Sequence, residues 1–261
     1  MIEVFMKGLL RFAGKYLPAP LTAIVLVALW QLTATLSGAN PRLLPSPQVV
    51  YSSWWADLSS WQTAWLATTF EVLVGMILGC LLGLGMGVLT FSSRFVRRSF
   101  YPLQLVAQTI PIIALAPLVL IWFGFSIWGK IALVALYASF PVTIATVKGM
   151  RQASLAQVEV AQTLGANQQW LRRHVYLPAS WPQVFSGIKI SATYAYGTAA
   201  MAEYVGAAAG LGVYLNAAKA NFRTDLVFVT AITLALSTLG LFLLVWVLER
   251  LVVRYPLGEK R

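Results

Sequence analysis

Charge is scarce in this chain. Only 10% of its 261 residues are Asp, Glu, Lys or Arg, whereas 59% are hydrophobic. A soluble domain carries about 25% charged and 45–50% apolar residues. A typical soluble enzyme, a disordered chain and a nucleic-acid module are therefore excluded. Cysteine and histidine are scarcer still, with Cys80 and His174 the single residue of each type. One cysteine excludes an internal disulfide framework and a multi-cysteine metal site. One histidine leaves no basis for a histidine-based metal centre or relay. No metal site is expected.

What is abundant is long apolar sequence. Six runs stand out, at residues 21–37, 72–89, 103–123, 131–147, 186–206 and 226–248. A membrane-spanning helix needs about 20 such residues. The fold class expected is therefore all-α, a polytopic membrane protein with six transmembrane helices. The fifth run is the most polar and reaches span length only when 186–206 is read as one helix.

The net charge of +11 then becomes a topology signal. Lys7, Arg11 and Lys15 precede the first run. Arg94, Arg97 and Arg98 follow the second. Lys148, Arg151, Arg172, Arg173 and Lys189 lie between the fourth and fifth, and Arg250, Arg254, Lys260 and Arg261 follow the sixth. These are 15 of the 19 basic residues; Arg42, Lys130, Lys219 and Arg223 fall on the other side. Positive-inside bias places both termini in the cytoplasm. Residues 1–16 are expected to form an amphipathic helix on the inner membrane surface, because Glu3, Lys7, Arg11 and Lys15 share one helical face. A cleavable signal is disfavoured, since no A-x-A-like site ends a short apolar stretch. Residues 17–261 make up the transmembrane domain.

One connector is long, at residues 151–183. Ser154 is placed to cap a helix in which Leu155, Val158, Ala161 and Gln162 follow helical spacing. Gly165 is placed to end it in a left-handed turn. A second short helix over 167–176 then runs into Leu177 and Pro178, where proline is expected to stop it. An amphipathic helix, a sharp turn and a second helix exposed on one side of a membrane suit docking into a partner's groove.

The spacing here is specific. Glu159-Val160-Ala161, three residues, Gly165, nine residues, Val175, one residue, Leu177-Pro178 resembles the signature Glu-Ala-Ala, three residues, Gly, nine residues, Ile, one residue, Leu-Pro of ABC importer permeases. Val160 and Val175 depart from it conservatively. The resemblance extends along the chain. Leu44-Pro45-Ser46-Pro47, the stretch from Pro111 to Pro117 with Trp122, Phe123 and Gly124, the stretch from Ala202 to Gly212, and Phe222 to Asp225 are similar to the nitrate, sulfonate, taurine and thiamine-precursor branch. That branch often has arginine where this chain has Glu71.

The resemblance implies the type I importer permease fold in a prokaryotic plasma (inner) membrane. It implies a homodimer seated on two cytoplasmic ABC ATPase subunits and fed by an external or periplasmic substrate-binding protein. It assigns Glu159, Val160, Ala161, Gly165, Leu177 and Pro178 to coupling with the ATPase. ATP and Mg²⁺ would be bound by that partner. No cofactor is expected in this chain.

Other residues are candidates on chemical grounds. Gln104, Gln108 and Thr109 precede Pro111 and Pro117, each of which removes a backbone donor inside an apolar run. They line a solute pathway or only kink a packed helix. Ser191, Tyr194 and Thr198 put hydroxyls among small residues, for lining or for packing. Glu203 is a gate or docking contact, or a carboxylate in the headgroup layer, with Lys219 and Arg223 as candidate partners. Gly75, Gly79, Gly83 and Gly87 form a smooth face for packing within the chain or at a dimer seam.

Gly124 to Lys130 matches most of a phosphate-loop pattern, but Ile131 stands where Ser or Thr must bind Mg²⁺. The chain is thus not expected to be an enzyme or to hydrolyse ATP. The rival reading is an ATP-independent secondary transporter or channel. It would call for intramembrane acids or an inverted repeat, and only Glu71 and Glu203 are available.

Overall fold

A computed structural model describes residues 18–36, 43–124 and 126–253. The helix expected over 1–16 lies outside them. Among the described residues every regular element is helical. This is the requirement for a chain that must satisfy its backbone without water. In order these are α1 (Pro18–Leu36), α2 (Pro47–Ala56), α3 (Leu58–Ser92), α4 (Arg94–Ala107), α5 (Ile112–Phe123), α6 (Ile127–Arg151), α7 (Leu155–Thr163), α8 (Gln168–Leu171), α9 (Leu177–Val205), α10 (Leu211–Ala220) and α11 (Thr224–Val252). A π-helical turn, Arg172–Tyr176, joins α8 to α9. The chain divides into two compact units, Met1–Leu58 with Ala217–Val229, and Ser59–Asn216 with Thr230–Arg261.

In the larger unit α3 packs on α6 through glycine. A Cβ at Gly75 would stand 2.6 Å from Val134 Cβ, one at Gly79 2.6 Å from Ala135 O, and one at Gly83 2.7 Å from Ser139 O. The four-residue spacing is thus used for close packing within the chain. Around that seam lies the core, formed by Val72 and Met76 of α3, Val134 and Ala138 of α6, Ala192, Ala195 and Tyr196 of α9, and Leu241 and Val245 of α11. Trp61 and Trp65 stack at 5.9 Å and donate their indole N–H groups to Thr233 at 2.8 Å and Ser237 at 2.9 Å. The shared spacing of four locks two turns of α3 to two turns of α11. Lys189 and Glu249 pair at 2.8 Å.

In the smaller unit the Leu44–Pro47 element has a physical role. Pro45 O accepts the Trp30 indole N–H at 3.1 Å. Ser46 caps α2 by accepting the Val49 N–H, and Pro47 opens the helix where its missing donor does no harm. Trp30 stacks on Phe228 at 5.3 Å.

Two expectations of span geometry change. The second run is part of a much longer helix, the 35-residue α3. The third run is not one helix: α4 and α5 meet at 99°. Pro111 disfavours helical geometry at Ile110, and the carbonyl of Ile110 is taken by the Tyr137 hydroxyl at 2.6 Å. By length and apolarity, α3, α6 and α11 can each cross a membrane, and α4 with α5 forms a fourth, broken candidate. The first run holds the shorter apolar stretch Pro20–Leu36. The fifth run lies in α9, which has 29 residues. Its prolines, hydroxyls, Lys189 and Glu203 keep it out of that apolar set.

Candidate functional site

The long connector builds a small folded unit of its own. Ser154 has the extended backbone of an N-cap, and its carbonyl accepts the Val158 N–H at 3.1 Å, although its hydroxyl makes no cap bond. Val158 and Ala161 of α7 bury themselves against Leu171, with Ala166, Val175 and Tyr176 around them. Gly165 has φ +86°. Its N–H donates to Gln162 O at 2.9 Å, and the Ala166 N–H donates to Ala161 O at 2.9 Å. These two bonds are the Schellman ending. A Cβ at Gly165 would meet nothing within 4 Å, so glycine is required there by backbone conformation and not by space. Asn167 then restarts the helix, its side-chain oxygen accepting the Trp170 N–H at 2.8 Å.

Proline does not stop this second helix. The backbone stays helical from α8 through the π turn into α9, with the Leu177 N–H donating to Arg172 O. Pro178 follows closely on the π turn, where the hydrogen-bond register shifts and a proline is accommodated. The second half of the connector is therefore continuous with the 29-residue α9.

The four residues at helical spacing do not share one buried face. Leu155 and Gln162 are exposed, and only Val158 and Ala161 turn inward. Leu155 is 78%, Val160 60% and Leu164 82% exposed, so α7 carries apolar side chains on its outer face as well. Glu159 lies exposed among them. Of the six residues assigned to coupling, Glu159, Val160, Gly165 and Pro178 reach the surface, Leu177 is half-buried, and Ala161 supports the fold beneath. From sequence, Leu155 was read only for its helical spacing and Leu164 was not singled out. Their signal was a helix apolar on two opposite faces. Beside them opens a groove of 1310 Å³ lined by Gln157, Leu164, Trp170, His174 and Trp181, with Val252 and Val253 at the end of α11. Trp170 stacks on His174 at 4.5 Å.

The pathway candidates separate into two groups. Gln108, Thr109 and Pro111 sit exposed at the α4–α5 break, and Pro117 is exposed within α5. Gln104 is half-buried, donating to the Thr143 hydroxyl at 3.0 Å, with its own carbonyl oxygen buried and unpartnered. Tyr194 is exposed on α9. Ser191, Thr198 and Glu203 instead face inward, and Ser191 donates to Ala138 O at 2.7 Å across the α6–α9 contact.

Glu203 has partners other than Lys219 and Arg223. Its carboxylate accepts the Thr68 hydroxyl and the Gly212 N–H, both at 2.7 Å. Arg223 is bonded to Asp225 at 2.7 Å. Lys130 and Glu71, read from sequence as an outer-loop cation and an unassigned acid, form a buried ion pair. This explains how an acid is tolerated within an apolar run.

Comparison with known proteins matches residues 75–254 to the family described as binding-protein-dependent transport system inner membrane component. The chain is 36% identical over 95% of its length to the riboflavin transport system permease protein RibX of Chloroflexus aurantiacus, covering 94% of that protein. It is 34% identical over 82% of its length to the formylaminopyrimidine transport permease protein ThiX of Halalkalibacterium halodurans, covering 85% of it. It is 33% identical over 95% to the putative aliphatic sulfonates transport permease protein SsuC of Escherichia coli, covering 94% of it. Among solved structures, an inward-facing MetNI methionine ABC transporter chain matches with a TM-score of 0.63 at 18% identity, over 80% of this chain and 98% of that one. At that identity the likeness concerns the fold.

Proposed function

We propose a pathway-forming, energy-coupled role for this chain, which belongs to the binding-protein-dependent transport system inner membrane components and is a multi-pass permease subunit of an ABC importer. Two copies enclose the pathway between them and rest on two ATPase subunits, which bind ATP and Mg²⁺. An external binding protein delivers the solute. Both termini and the 151–183 loop face the cytoplasm, as the distribution of basic residues supports.

The observation that carries this reading is the exposed apolar pair Val160 and Leu164, four residues apart on a helix whose other side is already packed. An apolar face outside the core is the mark of a docking surface. Because α7 packs on Leu171, Val175 and Tyr176, which run helically into α9, a displacement of the docked helix is transmitted along α9 to α6 and the pathway. That is alternating access driven from the loop. Glu159 stands at the rim of this face and contributes orientation more than affinity. The secondary-transporter reading loses support, because Glu71 and Glu203 are committed to Lys130, Thr68 and Gly212.

The solute class we infer is a small nitrogen heterocycle of the vitamin or vitamin-precursor kind, supported by the similarity to the riboflavin and formylaminopyrimidine permeases. The test is ATP hydrolysis by the reconstituted transporter with binding protein loaded in turn with riboflavin, formylaminopyrimidine, an aliphatic sulfonate or taurine. Stimulation by a heterocycle is expected; stimulation by the sulfonates alone would overturn the solute assignment. Labelling of a cysteine placed at Asn167 by an impermeant reagent should require broken cells. Labelling of intact cells would reverse the orientation.

A further inference from the structure

The turn between α10 and α11 holds an outlier. Phe222 has φ 54° and is the one non-glycine residue with positive φ among the described residues. Its N–H donates to Lys219 O at 3.1 Å, and the Arg223 N–H donates to Ala218 O at 2.9 Å. This is the Schellman ending again, with Phe222 at the left-handed position. At the end of α7 the same position is filled by Gly165, which has no side chain to strain. At the end of α10 it is filled by an aromatic residue, for which left-handed geometry is unfavourable.

That ring contributes little to the fold. Phe222 is 86% exposed, more than any other large hydrophobic among the described residues, and Leu164 of the coupling loop follows at 82%. A strained, solvent-facing aromatic that folding does not require points to a function outside the fold. Its place is informative. Phe222 lies two residues before α11, in the connector that precedes the sixth apolar run. The distribution of basic residues puts that connector on the side of the membrane opposite the coupling loop. Asn221 and Lys219 are exposed beside it, giving an apolar centre with a polar rim.

We infer that Phe222 is an anchor for the external solute-binding protein and fills an apolar pocket on that partner. The inference rests on the import reading and orientation given above, and it names where delivery makes contact. The experiment uses the reconstituted permease–ATPase complex and the purified binding protein of the same system. The readout is the binding-protein concentration that half-maximally stimulates ATP hydrolysis.

Phe222→Ala and Phe222→Gly should raise that concentration by about tenfold, with basal hydrolysis unchanged. Phe222→Trp should stay near the natural value. Phe222→Gly should also raise the melting temperature, because it relieves the left-handed strain. A more stable protein with poorer docking cannot be explained by misfolding. Half-maximal concentrations within about twofold of the natural chain for both small variants would overturn the anchor while leaving the import reading intact. Absence of any stimulation in the natural chain would overturn both.

Discussion

Glu203 Oε2 accepts the backbone N–H of Gly212 at 2.7 Å, across nine residues of chain. A carboxylate near the end of α9 thereby closes the first turn of α10, the position where a helix most favours negative charge. Thr68 of α3 completes the arrangement. Its hydroxyl donates to Glu203 Oε1 at 2.7 Å and accepts the Leu211 N–H at 2.8 Å. No room is left for a larger residue at position 212, where a Cβ would stand 2.7 Å from both Glu203 Cβ and Tyr204 N.

Thr68→Val is isosteric but removes both of these bonds. Each buried polar group left unpaired costs about 1–3 kcal/mol. Thermal unfolding in detergent should show a clear loss for Thr68→Val and a small one for Thr68→Ser. Equal stability of the valine variant and the natural chain would remove this joint cap from the account.

The Lys130–Glu71 pair is nearly excluded from solvent. Lys130→Met should destabilise by about 3–5 kcal/mol, since it leaves Glu71 buried and uncompensated. Adding Glu71→Leu should recover most of that loss, because two apolar residues need no pairing. The check is a double-mutant cycle by denaturant unfolding, and strictly additive losses would contradict the pairing.

How much of this was legible in sequence varies residue by residue. The apolar runs marked the long helices, and the Gly75–Gly87 spacing marked the seam of α3, because periodicity alone reports such faces. Gly165 was legible because a left-handed helix ending has few chemical solutions. Glu203 was noticed, but its partners were not, since Thr68 is 135 residues away in the chain. The α4–α5 break was half visible: Pro111 advertised a disturbance, whereas the sharp bend depends on packing that brings Tyr137 to Ile110. Pro178 misled because a proline just after a π turn is accommodated within a continuing helix. The exposure of Leu155 and Leu164 was not foreseen, because an exposed leucine carries no local signature.

Glycines on the two sides of α3 should respond oppositely to a methyl group. Gly79→Ala places a Cβ 2.6 Å from Ala135 O and 2.7 Å from Ala138 Cβ. Overpacking of that kind costs about 1–3 kcal/mol. At Gly85 a Cβ meets nothing within 4 Å, so Gly85→Ala should be neutral or stabilising by about 0.5–1 kcal/mol. Melting temperatures of the two variants compare the effects directly.

Gly165→Ala should cost about 1–2 kcal/mol locally through its left-handed φ alone, and Gly165→Asn less. Global unfolding should change little, because the loop carries few buried contacts. The ATPase subunit should dissociate faster from the alanine variant than from the asparagine one. Identical dissociation rates for alanine, asparagine and glycine would separate the turn from coupling.

Coupling rests on the outward face at the end of α7. Val160 and Leu164 lie four residues apart on that face and are 60% and 82% exposed, so charges placed there cost the isolated chain almost nothing. The double variant Val160→Asp, Leu164→Asp should insert into the membrane and melt as the natural chain does. The deciding measurement is co-purification of the ATPase subunit with this variant, followed by ATP hydrolysis in the presence of loaded binding protein. Loss of co-purification or of stimulated hydrolysis, with insertion intact, is the result expected. Undiminished co-purification together with fully stimulated hydrolysis would contradict the claim that this loop couples the ATPase to transport.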